Sequence, residues 1–113
     1  MHEMSICESI REILEAEAAS RAFKSVEVVR LEIGALSGVE PEALRFGFDV
    51  VMAGSVAGHA RLEIIEVPGK AWCMICGKSV PVTARYDACP ECGSHQLQVT
   101  SGAEMKIREL EVQ

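Results

Sequence analysis

Two cysteine pairs of the same spacing, Cys73-Met74-Ile75-Cys76 and Cys89-Pro90-Glu91-Cys92, stand twelve residues apart. Each pair brings two thiolates into one tight turn. Two such turns supply four soft ligands, the full shell of a tetrahedral Zn²⁺ ion. The chain must therefore double back on itself in this region. Gly77 and Gly93 each follow the second cysteine of a pair, and they permit the positive φ that such turns need. A closed four-sulfur shell leaves no position for water or substrate, so a structural metal is expected rather than a catalytic one. Rubredoxin-like iron is the chemical rival, and disulfides are a third option. A segment this short has no core of its own, so bound metal would supply its folding energy.

The rest of the chain can build a core. Of 113 residues, 49% are hydrophobic but only 4% aromatic, so the interior is mostly Val, Ile, Leu, Ala and Met. The net charge of −6 and scattered Lys/Arg argue against a phosphate-binding surface. No stretch approaches the roughly 18 apolar residues of a membrane span. The start lacks the basic and apolar regions of a signal peptide. A cytoplasmic protein is expected, without nucleic-acid or membrane partners, where reduced cysteines bind metal.

Residues 3–22 place Cys7, Ile10, Leu14 and Ala18 on one helical stripe, with Glu8, Arg11, Glu15 and Arg21 mostly outside it. Cys7 reads as a small core residue. The β-branched run 25–33 predicts a strand ended by Gly34, with a change of phase at Val28-Val29. Pro41 opens a second helix with Leu44, Phe48 and Val51 inward, and Gly54 stops it. Residues 61–67 predict another strand, punctuated by Pro68-Gly69. The turn-rich stretch that follows carries short hairpins near Val80, Val82, Leu97 and Val99. The alternating run 104–112 has little to pair with there, so it returns to the first sheet. The expected class is α+β: two helices packed on a three-stranded mixed sheet, with an inserted zinc-ribbon-like module of short hairpins. The expected domains are 1–68 plus 103–113, and 69–102.

The N-terminus offers a second donor set. A bulky second residue, here His2, blocks removal of Met1. The Met1 amine, the amides of His2 and Glu3, and the His2 imidazole are close-set nitrogens. A planar nitrogen set suits Ni²⁺ or Cu²⁺ more than Zn²⁺, and the Glu3 carboxylate can ligate or hold the imidazole. On chemistry alone, a histidine near a terminus is most often just solvated.

Met1-His2-Glu3-Met4-Ser5, then Leu31-Glu32-Ile33-Gly34 with Leu36-Ser37, the two cysteine pairs, and Gly102-Ala103-Glu104 to Glu111-Val112 resemble the HypA/HybF family. These are nickel metallochaperones of [NiFe]-hydrogenase maturation. The resemblance covers essentially the whole chain. It implies a nickel-binding α/β domain and a zinc domain, with Ni²⁺ held around His2, and with Glu3 contributing to nickel binding or to contact with the partner GTPase. It also implies Zn²⁺ on Cys73, Cys76, Cys89 and Cys92. The implied partners are the GTPase HypB, the hydrogenase large subunit and, in some organisms, urease maturation proteins. The chain would act as a monomer or homodimer and would not be an enzyme. His95 and His59 read as solvated turn residues. The rival from another class is a zinc-ribbon module that binds nucleic acid, which the acidic balance disfavours.

Overall fold

Strand β1 (Val26–Gly34) buries Val26, Val28, Val29, Leu31 and Ile33. Two consecutive buried residues, Val28 and Val29, mark the expected change of phase. The computed structural model describes residues 3–113. The other elements are α1 (Glu3–Arg21), α2 (Pro41–Met52), β2 (Arg61–Val67), β3 (Gly69–Cys73), β4 (Lys78–Val82), β5 (Leu97–Ser101) and β6 (Met105–Val112). The strands form two three-stranded sheets, ordered β2-β1-β6 and β4-β3-β5. By packing, the chain divides into two units. One takes in the chain up to Leu31, Val39–Ile64 and Ile107–Gln113; the other comprises Glu32–Gly38 and Ile65–Lys106.

In the first unit, α1 buries Ile6, Cys7, Ile10, Leu14 and Ala18, the helical stripe legible in the sequence. Its end has a cost, because Ala22 adopts φ 58°, where glycine usually sits. Helix α2 opens at Pro41 after Glu40, whose side chain accepts from Glu42 N. It buries Leu44, Gly47, Phe48 and Met52, while Val51, expected inward, is only half-buried.

The two helices are stitched by polar groups at four-residue spacing. Glu3 Oε2 accepts from Glu40 N at 3.1 Å. The Cys7 thiol donates to Leu44 O at 3.6 Å. Arg11 Nη1 donates to Val51 O at 2.8 Å. Glu15 Oε2 accepts from Val56 N at 3.3 Å. Partner numbers rise together, so the helices run in the same direction. Residues one turn apart share a helix face, so one edge of α1 makes all four bonds. Arg11 and Glu15, read as lying outside the buried stripe, are half-buried on this edge. Gly47 permits the close approach: a Cβ there would lie 2.9 Å from Met4 Sδ and 3.3 Å from Cys7 Sγ.

The direction of each strand pair follows from its bonds. Val26 N donates to Val56 O, and Arg30 Nε meets Glu63 Oε1 at 2.8 Å, so β2 runs parallel to β1, with α2 as the connection. Gln113 N donates to Ser25 O, and Arg30 also pairs with Glu109 and Glu111, so β6 is antiparallel. The sheet is mixed, and the last strand returns to it. Arg30 is held above its ordinary pKa by Glu111 and Glu63. Arg61 and Arg30 hold the Glu63 carboxyl below its ordinary value.

In the second unit, β3 is the central strand, antiparallel to both neighbours, with Ala71 opposite Val80 and Val99. This strand departs from the sequence reading. Pro68-Gly69 was expected only to punctuate β2, but Gly69 begins β3 and itself faces inward. The buried clusters are small: Leu36, Ala71 and Val82 in one, and Cys73, Val80 and Cys89 in the other. Three backbones cross on glycine. Leu36 N donates to Gly102 O, and Gly34 N to Glu104 O, both at 2.8 Å. A Cβ on Gly34 would lie 2.1 Å from Gly102 O, and one on Gly102 would lie 2.5 Å from Pro68 O. Gly102 also has φ 84°, a conformation that side chains resist.

Backbone cannot yield as a flexible side chain does. Gly34→Ala is expected to destabilise by about 3 kcal/mol or more, at the upper end for overpacking. Ala22→Gly should instead stabilise by roughly 0.5–1 kcal/mol through relief of the left-handed strain. Urea titrations of both variants check the pair. Equal midpoints for Gly34→Ala and the parent chain would contradict the crossing.

Candidate metal centre

The four paired cysteines gather at one end of the small sheet, where β3 ends and β4 and β5 begin. Cys73 closes β3 opposite Lys78 and Leu97, so sheet register fixes the first turn. Cys76 N donates to Cys73 Sγ at 3.3 Å, and Gly77 N donates to Cys73 O at 2.8 Å. The second turn repeats this pattern. Glu91 N donates to Cys89 Sγ at 3.4 Å, and Gly93 N to Cys89 O at 2.9 Å. Gly77 and Gly93 have φ of 65° and 76°, the positive values expected at both places.

Asp87 braces the approach to the second turn. Its Oδ2 accepts from Thr83 Oγ1 at 2.8 Å and from the Thr83 and Ala84 amides at 3.0 Å. These bonds hold its carboxyl below the ordinary range. Lys78 Nζ meets Glu91 Oε1 at 2.6 Å, which links the two turns on their exposed side.

All four sulfurs lie within 4.8 Å of one another. Cys73 Sγ is 3.7 Å from Cys92 Sγ, and Cys76 Sγ is 3.9 Å from Cys89 Sγ. Metal–sulfur bonds of 2.3 Å in a tetrahedron give edges of about 3.8 Å. A disulfide would need about 2.05 Å, so neither contact is one. Among the described residues, this is the group whose donor atoms converge as a metal shell. His95 and His59 are exposed and lie outside it.

The thiols are not alike. Backbone N–H groups of Glu91 and Cys92 lower Cys89 to about 7. The neighbouring sulfur of Cys92, burial and the other thiols push Cys76 up to about 12.

Of the terminal donors, Met1 and His2 lie outside the described residues. Glu3 is half-buried in the first turn of α1, and its carboxylate is held by Glu40 N. Cys7 is wholly buried and bonded to Leu44 O. Burial raises its pKa, with Glu3 and Glu8 adding to the effect, so it is an inert core residue.

Residues 1–112 match the family model described as "Hydrogenase/urease nickel incorporation, metallochaperone, hypA". The chain belongs to this family. A hydrogenase maturation factor HypA of Bradyrhizobium sp. (strain ORS 278) is 61% identical over 113 residues, all of both chains. One from Rhodopseudomonas palustris (strain BisA53) is 58% identical over 112 residues, 99% of each. The solution structure of the Ni metallochaperone HypA from Helicobacter pylori superposes with TM-score 0.72 at 27% identity. That superposition covers 99% of this chain and 97% of the other. This HypA-family chain is thus α+β, with two helices, a mixed three-stranded sheet and a zinc-ribbon-like module around four cysteines.

Metal removal has an expected signature. Trp72, the only tryptophan, lies on β3 beside Cys73. A strong chelator under reducing conditions should change its fluorescence and collapse the amide dispersion of residues 69–102. Because thiols must lose protons to bind, metal affinity should fall as pH drops, with protons released on loading. Unchanged spectra in metal-free, reduced protein would contradict a metal-held module.

Proposed function

We propose that this chain is a nickel metallochaperone with two chemically distinct metal sites. The observation that carries this is the match of residues 1–112 to a nickel-incorporation family. Zn²⁺ fits the four-sulfur cluster of Cys73, Cys76, Cys89 and Cys92, because thiolates at tetrahedral edges suit it and leave no exchange position. Zinc there is resident and structural. The cargo is Ni²⁺, held by the Met1 amine, His2 and Glu3, whose nitrogen donors suit nickel in a planar set. The working division is a nickel-binding part, 1–68 plus 103–113, and a zinc-binding part, 69–102.

A delivery protein must bind its metal and also release it. Amide and imidazole nitrogens bind only when deprotonated, so acid loosens the site. A chain terminus can be reshaped by a partner at low energetic cost. Glu3 anchors that terminus, because its carboxylate accepts from Glu40 N at the start of α2. The receiving partners are the GTPase HypB and the [NiFe]-hydrogenase large subunit, acting in the cytoplasm. Urease maturation proteins are a second route. The chain carries metal and catalyses no reaction.

His2→Ala should abolish stoichiometric nickel binding and leave one zinc per chain. A short peptide added before Met1 should weaken nickel as well, by converting the amine to an amide. Isothermal titration with metal analysis reads both. Tight nickel retained by His2→Ala would overturn the assignment.

A further inference from the structure

The four sulfurs of the metal centre are not equally covered. Cys73 and Cys89 are 0% and 3% exposed, Cys76 is half-buried, and Cys92 is exposed. A dissolved oxidant therefore meets the shell at Cys92. The Sγ of Cys73 lies 3.7 Å from that of Cys92. The other two, Cys76 and Cys89, approach at 3.9 Å. Each of these close pairs joins one turn to the other.

The backbone prepares the buried members to react. Cys76 N donates to Cys73 Sγ at 3.3 Å, and Glu91 N donates to Cys89 Sγ at 3.4 Å. Such donors favour thiolate over thiol, and the thiolate is the attacking form. Each cross-turn pair thus sets an amide-stabilised sulfur, Cys73 or Cys89, beside a more accessible one, Cys92 or Cys76.

We propose that Cys92 is a site of oxidation by hydroperoxides, resolved by Cys73 as a disulfide across the two turns. This rests on the reading of the four sulfurs as a zinc shell. The Cys92 thiolate attacks the peroxide O–O bond, giving a sulfenic acid and hydroxide. The Cys73 thiolate then attacks that sulfur, the S–S bond forms, and a second hydroxide leaves. The two sulfurs together give two electrons to the peroxide. Only Cys76 and Cys89 then remain as thiolates, an open shell that releases the metal. A second equivalent of peroxide joins them in the same way. A disulfide within one turn would cross-link only near neighbours. Bridges across the turns instead hold both turns together without metal, because they close the whole stretch between them. A thiol reductant then returns all four ligands in place. Cys7, wholly buried in the first unit, stays reduced.

The test treats the full, zinc-loaded chain with hydrogen peroxide after reductant is removed. A zinc-binding dye follows release. Quenching by alkylation, then peptide mass spectrometry, maps the disulfides over time. Expected is a Cys73–Cys92 disulfide first, in step with zinc release, then Cys76–Cys89, both reversed by dithiothreitol with added zinc. Before peroxide, brief alkylation should label Cys92 at least about fivefold faster than Cys73 or Cys89. Metal analysis before oxidation separates the two readings. A chain that binds no zinc at the start would overturn the zinc reading and this proposal with it. Three outcomes would overturn this proposal alone: bound zinc kept under peroxide, first disulfides within a turn, or equal labelling of Cys73, Cys89 and Cys92.

Discussion

Convergence of four sulfur atoms is the constraint on which the second unit depends. Its apolar clusters are a handful of side chains, and two of the buried members are themselves cysteines, Cys73 and Cys89. Such a core cannot offset the entropy of ordering the segment. The backbone is nevertheless arranged to receive a metal. Two turns of the same geometry point their sulfurs inward at 3.7 and 3.9 Å, close to the edges of a tetrahedron. Amides already donate to Cys73 and Cys89, which stabilises negative sulfur before any metal arrives. Sheet register, turn glycines and thiol chemistry agree on one arrangement.

The first unit is organised differently. Its helices have an ordinary apolar interface, but they also share a column of hydrogen bonds from Glu3, Cys7, Arg11 and Glu15. Each bond joins a side chain of α1 to a backbone group in or beside α2. The column begins at the third residue of the chain. The Glu3 carboxylate at its start is held by the amide of Glu40.

Much of this was legible in the sequence, for identifiable reasons. The periodicity of Cys7, Ile10, Leu14 and Ala18 marks α1, and Pro41 marks the start of α2. The spacing of the cysteine pairs anticipates their convergence. The alternation after Glu104 places the last strand back against β1. Other features have no local signal. Strand β3 was hidden because Pro-Gly reads as a terminator, while Gly69 faces inward under a crowding only the fold creates. Gly34 and Gly102 look like ordinary turn residues until another backbone crosses them. Arg11 and Glu15 look like solvated charges, since nothing local reveals that backbone groups of α2 and the turn after it lie within reach.

The central claim is that one short chain holds two metals in unlike donor sets, a resident metal on sulfur and a cargo metal on nitrogen and oxygen. X-ray absorption at both edges of protein loaded with nickel and zinc tests this most directly. The account predicts a zinc spectrum of four sulfur scatterers near 2.3 Å and a nickel spectrum of nitrogen and oxygen donors with no sulfur. Sulfur in the nickel shell, or nitrogen replacing sulfur around zinc, would contradict it.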